Sequence, residues 1–324
     1  MVRFYPHSPD TTASGSLSYA QTLLRINYQY FLTGLIEIQY SHEEQLVLLI
    51  SEGRDAGAYH IFGNSCTLVD PEEIQTYWKS GDGSLRSLSL PRTAVRAARQ
   101  VLEWSPPAQA IQAESRDVLR DYIQTCKAQR ANGLFHFLWP RSEGYLNLHF
   151  GQPLPMDSVF SQPNGTDSGA ACLDLILENS DSPCRITFLE SRPTSLSYQL
   201  QVLRIALSQL IKEILNRYSI QIGPGQAKAL AGDLNSAMRV KPWYLQIVGD
   251  QFEDTHVFSD LKEAIEAYQL LMKHIIVHMY NAAGKNETHN LLSTAYHSIQ
   301  PDLQQTIQKY ALLPAVATIQ SFAP

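Results

Sequence analysis

The chain reads as an α+β protein: two small, related helix-plus-antiparallel-sheet units, followed by an internally duplicated helical bundle. Two self-similarities and one periodicity point there. A constant shift of the C-terminal part carries Leu200 onto Leu261, Leu210 onto Leu271, Ile214 onto Ile275, Gly223 onto Gly284 and Leu230 onto Leu291. The pair TGLIEIQY (33–40) and LVLLISEG (46–53) is answered by NGLFHFLW (132–139) and YLNLHFG (145–151). Beyond residue 196, apolar side chains recur at helical spacing. A fixed self-similarity marks one supersecondary unit that buries its apolar face against its own copy.

In chain order, residues 1–16 are rich in Pro, Ser, Thr and Gly and predict a flexible N-terminal tail. The first α+β unit spans 17–104. It has a helix over Leu17 to Phe31, strands at 35–40 and 46–50, a short helix from Pro71 to Trp78, a strand at 84–90 and a helix from Thr93 to Trp104. The proline pair in 105–114 predicts a linker. The second unit, 115–190, repeats the plan: a helix from Val118 to Ala128, strands at 132–139 and 145–151, a helix over Gly169 to Glu178 and a strand at 184–190. Pro193 separates it from the duplicated helical domain, 196–313, with Ser195 or Ser197 available as N-cap. Each helical copy reads as a long helix, a glycine stop, a second helix, a proline (Pro242 or Pro301) and a third helical piece. Residues 314–324 predict a C-terminal tail.

Composition narrows the function classes. The 324 residues are 44% hydrophobic and 17% charged, enough to bury sizeable cores. A net charge of −6 argues against nucleic acid as a partner. The arginines from Arg86 to Arg99 read as a solvated helix face rather than a phosphate track. Four scattered cysteines (Cys66, Cys126, Cys172, Cys184) form no C-x-x-C pair and predict reduced thiols in a cytoplasmic protein. The N-terminus has no apolar signal-peptide core. No run approaches the roughly 18 apolar residues of a membrane helix, so no membrane insertion is expected.

The helical domain supplies the candidate functional positions. Leu200, Leu203, Leu207, Leu210 and Ile214 follow heptad spacing, and Ile205, Ile211 and Leu215 widen the seam into a bundle-type face. Its counterpart begins at Ser259 or Asp260 and includes Leu261, Ile265, Met272 and Ile275. The seam predicts either bundle core within one chain or the interface of a homodimer. Gly34 and Gly133 are expected structural turns opening the two hairpins, and Gly223 and Gly284 are expected to stop the long helices, Gly284 in a left-handed conformation.

Candidate chemistry is sparse. His274 and His278 share a helix face at i, i+4, but no glutamate completes a zinc-protease pattern, and they read as surface or interface histidines. GPGQAK (223–228) lacks the spacing of a phosphate loop. The polar loop 162–170, near Asp157, Asp167 and Asp174, does not fit a calcium-binding loop. There is no G-x-S-x-G elbow. The expectation is therefore no catalytic, cofactor-binding or metal-binding residues, and no enzyme activity.

The glycine-opened strands carry a family resemblance. Gly34-Leu35-Ile36-Glu37-Ile38, and Leu146-Asn147-Leu148-His149-Phe150-Gly151, resemble the PATAN-type domain of cyanobacterial PatA-like response regulators and related bacterial gliding and signalling proteins. The resemblance covers about 17–190 and implies a protein-interaction module in two-component signalling, motility or pilus control. No receiver-domain pattern follows, so it implies an adaptor or effector without its own phosphorylation switch. The expected function is a non-enzymatic cytoplasmic signalling or adaptor protein that binds other proteins, as a homodimer. The alternative is a small-molecule-binding sensor with a pocket at the domain junction or in the helical bundle.

Overall fold

The computed structural model describes residues 11–16, 20–30, 32–77, 84–104, 109–113, 116–162, 165–178 and 184–313. The expected C-terminal tail, residues 1–10 of the N-terminal tail and 105–108 and 114 of the linker lie outside them. The chain forms two compact units, Met1–Ser197 and Tyr198–Pro324.

The first unit holds two antiparallel sheets. In chain order it contains β1 (Thr11–Ser16), α1 (Ala20–Gln29), β2 (Gly34–Gln39), β3 (Glu44–Ser51), β4 (Arg54–Phe62), β5 (Ser65–Val69), a 3-10 segment Pro71–Tyr77, β6 (Ser84–Ser89) and α2 (Arg92–Trp104). There follow β7 (Gln109–Ala113), α3 (Arg116–Ala128), β8 (Gly133–Leu138), β9 (Glu143–His149), β10 (Gln152–Pro153), β11 (Val159–Gln162), β12 (Gly165–Ser168), α4 (Ala171–Glu178) and β13 (Cys184–Glu190). The first sheet runs β1-β6-β2-β3-β4-β5; the second runs β12-β11-β9-β8-β13-β7, with β10 beside β9. Reading β7 for β1, β13 for β6, β8 for β2, β9 for β3, β11 for β4 and β12 for β5 makes the two orders identical. The repetition therefore extends beyond the hairpin and final strand legible in the sequence. The expected N-terminal tail and linker each contribute an edge strand, β1 and β7.

Hydrogen bonds repeat as well. The β3–β4 corner uses Glu52 (φ 51°) and Gly53 (φ 68°); the β9–β10 corner uses Phe150 (φ 47°) and Gly151 (φ 73°). Two successive positive φ values make the tight turn that matches strand twist. Glu52 N–H donates to Thr33 Oγ1 at 3.0 Å, and Phe150 N–H to Asn132 Oδ1 at 2.7 Å. Gly53 and Gly151 donate to the carbonyls of Leu32 and Ala131.

Gly34 and Gly133 are not turns. They are the buried first residues of β2 and β8, where β6 and β13 press close. A Cβ on Gly34 would sit 1.8 Å from Leu88 O, and one on Gly133 would sit 2.4 Å from Leu189 O. Backbone approach, not chain reversal, demands glycine there.

One face of each sheet packs on its own helical elements. Ile36, Ile38, Leu46, Leu48, Ile50 and Leu85 form the first core, with Ile74 and Tyr77 of the 3-10 segment against it. Phe135, Phe137, Leu146, Leu148, Ile186 and Phe188 form the second, with Tyr122, Cys126, Cys172 and Ile176 from α3 and α4. α2 packs against β2, β3 and β5 of one sheet and β11, β12 and β13 of the other. It is accordingly buried nearly all round, Arg99 and Gln100 included.

The second unit comprises most of α5 (Leu196–Gln221), then α6 (Pro224–Arg239), β14 (Leu245–Val248), β15 (Gln251–Asp254), α7 (Leu261–Ala283), α8 (Lys285–Ser298) and α9 (Pro301–Lys309). Gly223 (φ 114°, ψ 151°) and Gly284 (φ 80°, ψ 166°) join the helices of each copy. Both lie in a region essentially reserved for glycine, and the ψ of Gly284 rules out the expected left-handed helical stop. The copies part after the proline. Pro301 opens α9 as expected, whereas the stretch after Pro242 forms the β14–β15 hairpin instead of a helix. Leu245 and Ile247 point inward in alternation with exposed Gln246 and Val248, and Gly249 (φ 65°) turns the hairpin. The Asn235 side chain clamps β14 to α6, accepting from Ile247 N–H at 2.7 Å and donating to Ile247 O at 2.8 Å.

Candidate functional site

The heptad seam is core. Leu203, Leu207, Leu210, Ile214, Met272 and Ile275 are fully buried, and Leu200 nearly so, within a single chain. Leu261 and Ile265 are half-buried. α5 meets α7 through the Tyr218–His278 ring contact and α8 through Glu213, which accepts from Ser298. These positions act by packing, and at about 1.5–3 kcal/mol per buried side chain they dominate the stability of this unit. The fully buried positions have no surface left for a second copy, whereas Leu261 and Ile265 stay partly exposed.

The arginines of β6 and α2 overturn the expected solvated face. Arg92 pairs with Glu52 at 2.6 Å and Arg96 with Asp157 at 2.5 Å. Arg86 pairs with Glu37, and buried Arg99 donates to Ala56 O. Between them, Asn147 Nδ2 donates to Gln100 Oε1 at 2.9 Å. In the second sheet His136 Nε2 lies 3.1 Å from Glu143 Oε2, and its ring stacks on Tyr145 at 4.8 Å. Burial, then the carboxylates of Glu143 and Glu37, pushes the Tyr145 hydroxyl well above its ordinary value. Charges this deep persist only when paired, and the partner of each arginine comes from a distant part of the chain. Asp157, near the polar loop 162–170 weighed for calcium, is thus held by Arg96; most of that loop lies in the β11–β12 hairpin, of which 163–164 lie outside the described residues. Trp139 is buried core, edge-on to Phe160.

The helical unit has its own polar network. Asp254 accepts from Arg204 Nε at 2.8 Å, from His256 N–H at 2.8 Å and from the Tyr268 hydroxyl. Asp260 caps α7 by accepting from Glu263 N–H at 2.8 Å, while Glu263 accepts from Ser259 N–H at 2.9 Å, one residue ahead of the cap. Trp243 Nε1 donates to Glu263 at 3.3 Å. Burial works to raise the Glu263 pKa, but the His256 ring and the Ser259 donors outweigh it and hold the carboxyl down to about 2.

His274 and His278 do not converge on a metal. His278 Nδ1 turns to Asp233 Oδ2 at 2.9 Å, and its ring meets Tyr218 edge-on. His278 therefore faces α5 and α6, and both histidines are partly exposed. Among the described residues no group of three His, Cys, Asp or Glu side chains is placed to hold a metal ion.

Among the described residues, large apolar side chains are exposed singly at Tyr30, Val118, Met156, Ile220 and Val277, and in groups at two hairpins. The β14–β15 hairpin exposes Tyr244 and Val248 (49% exposed) above buried Leu245 and Ile247, and Val240 (82%) precedes it. The β4–β5 hairpin exposes Phe62 (58%) and Leu68 (64%). In the sequence Trp243-Tyr244 stands at an element end, where an exposed ring marks an interaction site, whereas Val240, Val248, Phe62 and Leu68 are isolated apolar residues of a kind common on surfaces. A further signal was available for the first hairpin: it is the stretch where the two helical copies stop matching. No protein-family model matches the chain, and no curated protein matches it. The PATAN-type resemblance accordingly rests on the strand-opening residues alone.

Proposed function

We propose that this chain is a non-enzymatic signalling or adaptor protein that acts by binding other proteins. One observation carries the reading. In the duplicated unit, one copy continues into α9 while the other substitutes a hairpin that exposes Val248, with Val240 and Tyr244 exposed on the segment leading into it. The fold itself tolerates either ending, so an apolar surface kept on one copy points to a partner. The internal pairing of Arg86, Arg92, Arg96, Arg204 and His136 supports the same reading, since these groups are committed to structure. Four free thiols support a reducing, cytoplasmic setting, and no described helix is long and apolar enough to cross a membrane. The PATAN-type resemblance directs the partner search to two-component and motility components.

The test is capture with full-length bait, wild type against Val240→Asp/Val248→Asp. A partner retained by the wild type and lost by the folded variant supports the proposal. Identical recoveries from both baits, or none, would count against it. A second reading, a small-molecule sensor, is favoured by a pair of buried polar atoms in the bundle, Tyr218 Oη and His278 Nε2, which have no protein partner among the described residues. A ligand carried through purification and seen by native mass spectrometry would support it.

A further inference from the structure

We propose that β5 is a self-complementary edge strand through which two copies of this chain join their first sheets into one antiparallel sheet. The inference rests on the adaptor reading only for its homodimer and names the surface that forms it.

The two repeats diverge at the same strand. β12, the edge of the second sheet, is a four-residue Gly165-Thr166-Asp167-Ser168, short, glycine-started and charged. Those features blunt an edge against pairing with another chain. β5, its equivalent, is Ser65-Cys66-Thr67-Leu68-Val69, with no charge, proline or glycine, and with Leu68 facing solvent. Among the described residues β5 pairs only with β4.

Register supplies the occupant. Phe62 pairs with Ser65 across a two-residue turn, Ile61 with Cys66, His60 with Thr67 and Tyr59 with Leu68. Antiparallel ladders alternate from a hydrogen-bonded closing pair, so the backbone N–H and C=O of Cys66 and Leu68 point away from β4. An antiparallel self-pair centred on Thr67 sets Cys66 opposite Leu68 of the second copy, and the reverse, which satisfies those groups on both chains. Thr67 then faces Thr67, a favourable cross-strand pair, and Ser65 faces Val69. One step further out, Asp70 faces Asn64 of the second copy, carboxylate to amide. No charge from 64 to 70 meets its like. The contact is isologous and closes after two chains.

Light scattering on the full chain, over about 1 to about 300 µM to suit a small interface, tests this. Dimer should grow with concentration. Leu68→Lys places a charge on an already exposed edge position and should raise the dimer dissociation constant at least about tenfold, through two symmetric cross-strand pairs. Circular dichroism establishes that the variant is folded. Thr67→Cys in a Cys66→Ser background should oxidise to a disulfide-linked dimer, because directly opposed non-hydrogen-bonded residues lie about 4.5 Å apart at Cα. A wild type that stays monomeric, a dimer indifferent to Leu68→Lys, or a Thr67→Cys variant that does not cross-link would overturn the proposal. So would a β5 edge that takes up only a different protein's strand. None of these outcomes touches partner capture through Val240 and Val248, so failure here and failure of the adaptor reading are separable.

Discussion

Tyr218 and His278 show how one residue's environment sets a measurable sign. Their rings lie 6.4 Å apart, and Tyr218 Oη and His278 Nε2 are buried without a partner among the described residues. An unpaired buried hydroxyl costs about 1–3 kcal/mol, so Tyr218→Phe should raise the melting temperature. A fall in Tm would show that a buried water or ligand bridges the two atoms. Glu263 sets a pH dependence. Its carboxyl is held down to about 2 in the fold against 4.5 when unfolded, so its contribution is complete above pH 4.5 and is lost as pH falls towards 2. Thermal melts across that range should show Glu263→Gln less stable than wild type at neutral pH, with a shallower acid decline. The capping residue Asp260 was legible from the sequence because a cap is a local device. The Glu263–Trp243 contact was not, since helical spacing after Pro242 gives no sign of the hairpin that Trp243 leads into.

At the scale of elements, glycines separate by what surrounds them. Gly133→Ala forces a Cβ into Leu189 O and should destabilise by about 1–3 kcal/mol or more. Gly232, inside α6 with open space around it, should instead gain about 0.5–1 kcal/mol as alanine. Denaturant titration of both variants checks the contrast. Leu207→Ala should cost about 2–5 kcal/mol and leave any dimer intact, since Leu207 is enclosed within one chain. The long helices were readable because a wide apolar stripe at 3.6 spacing has no other use in a soluble bundle. β4 was not: Arg-Asp-Ala-Gly-Ala-Tyr-His-Ile-Phe opens on charges and a glycine and lacks clean alternation. It is a strand because β3 offers it a ladder and buries Ala56, Ala58 and Tyr59. α2 misled in the opposite way. Its arginines resemble a wet face until Glu52 and Asp157 arrive from elsewhere in the chain.

For the whole molecule, duplication accounts for the scaffold and divergence between duplicates marks the surfaces. Two equivalent sheets share one inner helix, and two helical copies share one long-helix plan. At both places where copies differ, β5 against β12 and the β14–β15 hairpin against α9, apolar side chains reach solvent, Leu68 at the first and Val248 at the second. Two independent contacts follow from this. Leu68→Lys should weaken self-association while preserving partner capture, and Val240→Asp/Val248→Asp should weaken capture while preserving self-association. Light scattering and capture on the same two preparations check both. A variant that lost both properties while still folded would show that the surfaces are one.

The sequence by itself determined the α+β class, the pairing of hairpin with hairpin, and the duplicated long helices, because periodicity, caps and glycine spacing act within a few residues of one another. Tertiary structure alone decided that Gly34 and Gly133 answer to a neighbouring backbone, that the arginines turn inward, that the seam closes within the chain, and that β4, β5 and the β14–β15 hairpin exist. Each of those depends on groups far apart in the chain, where close approach and charge pairing outweigh local preference.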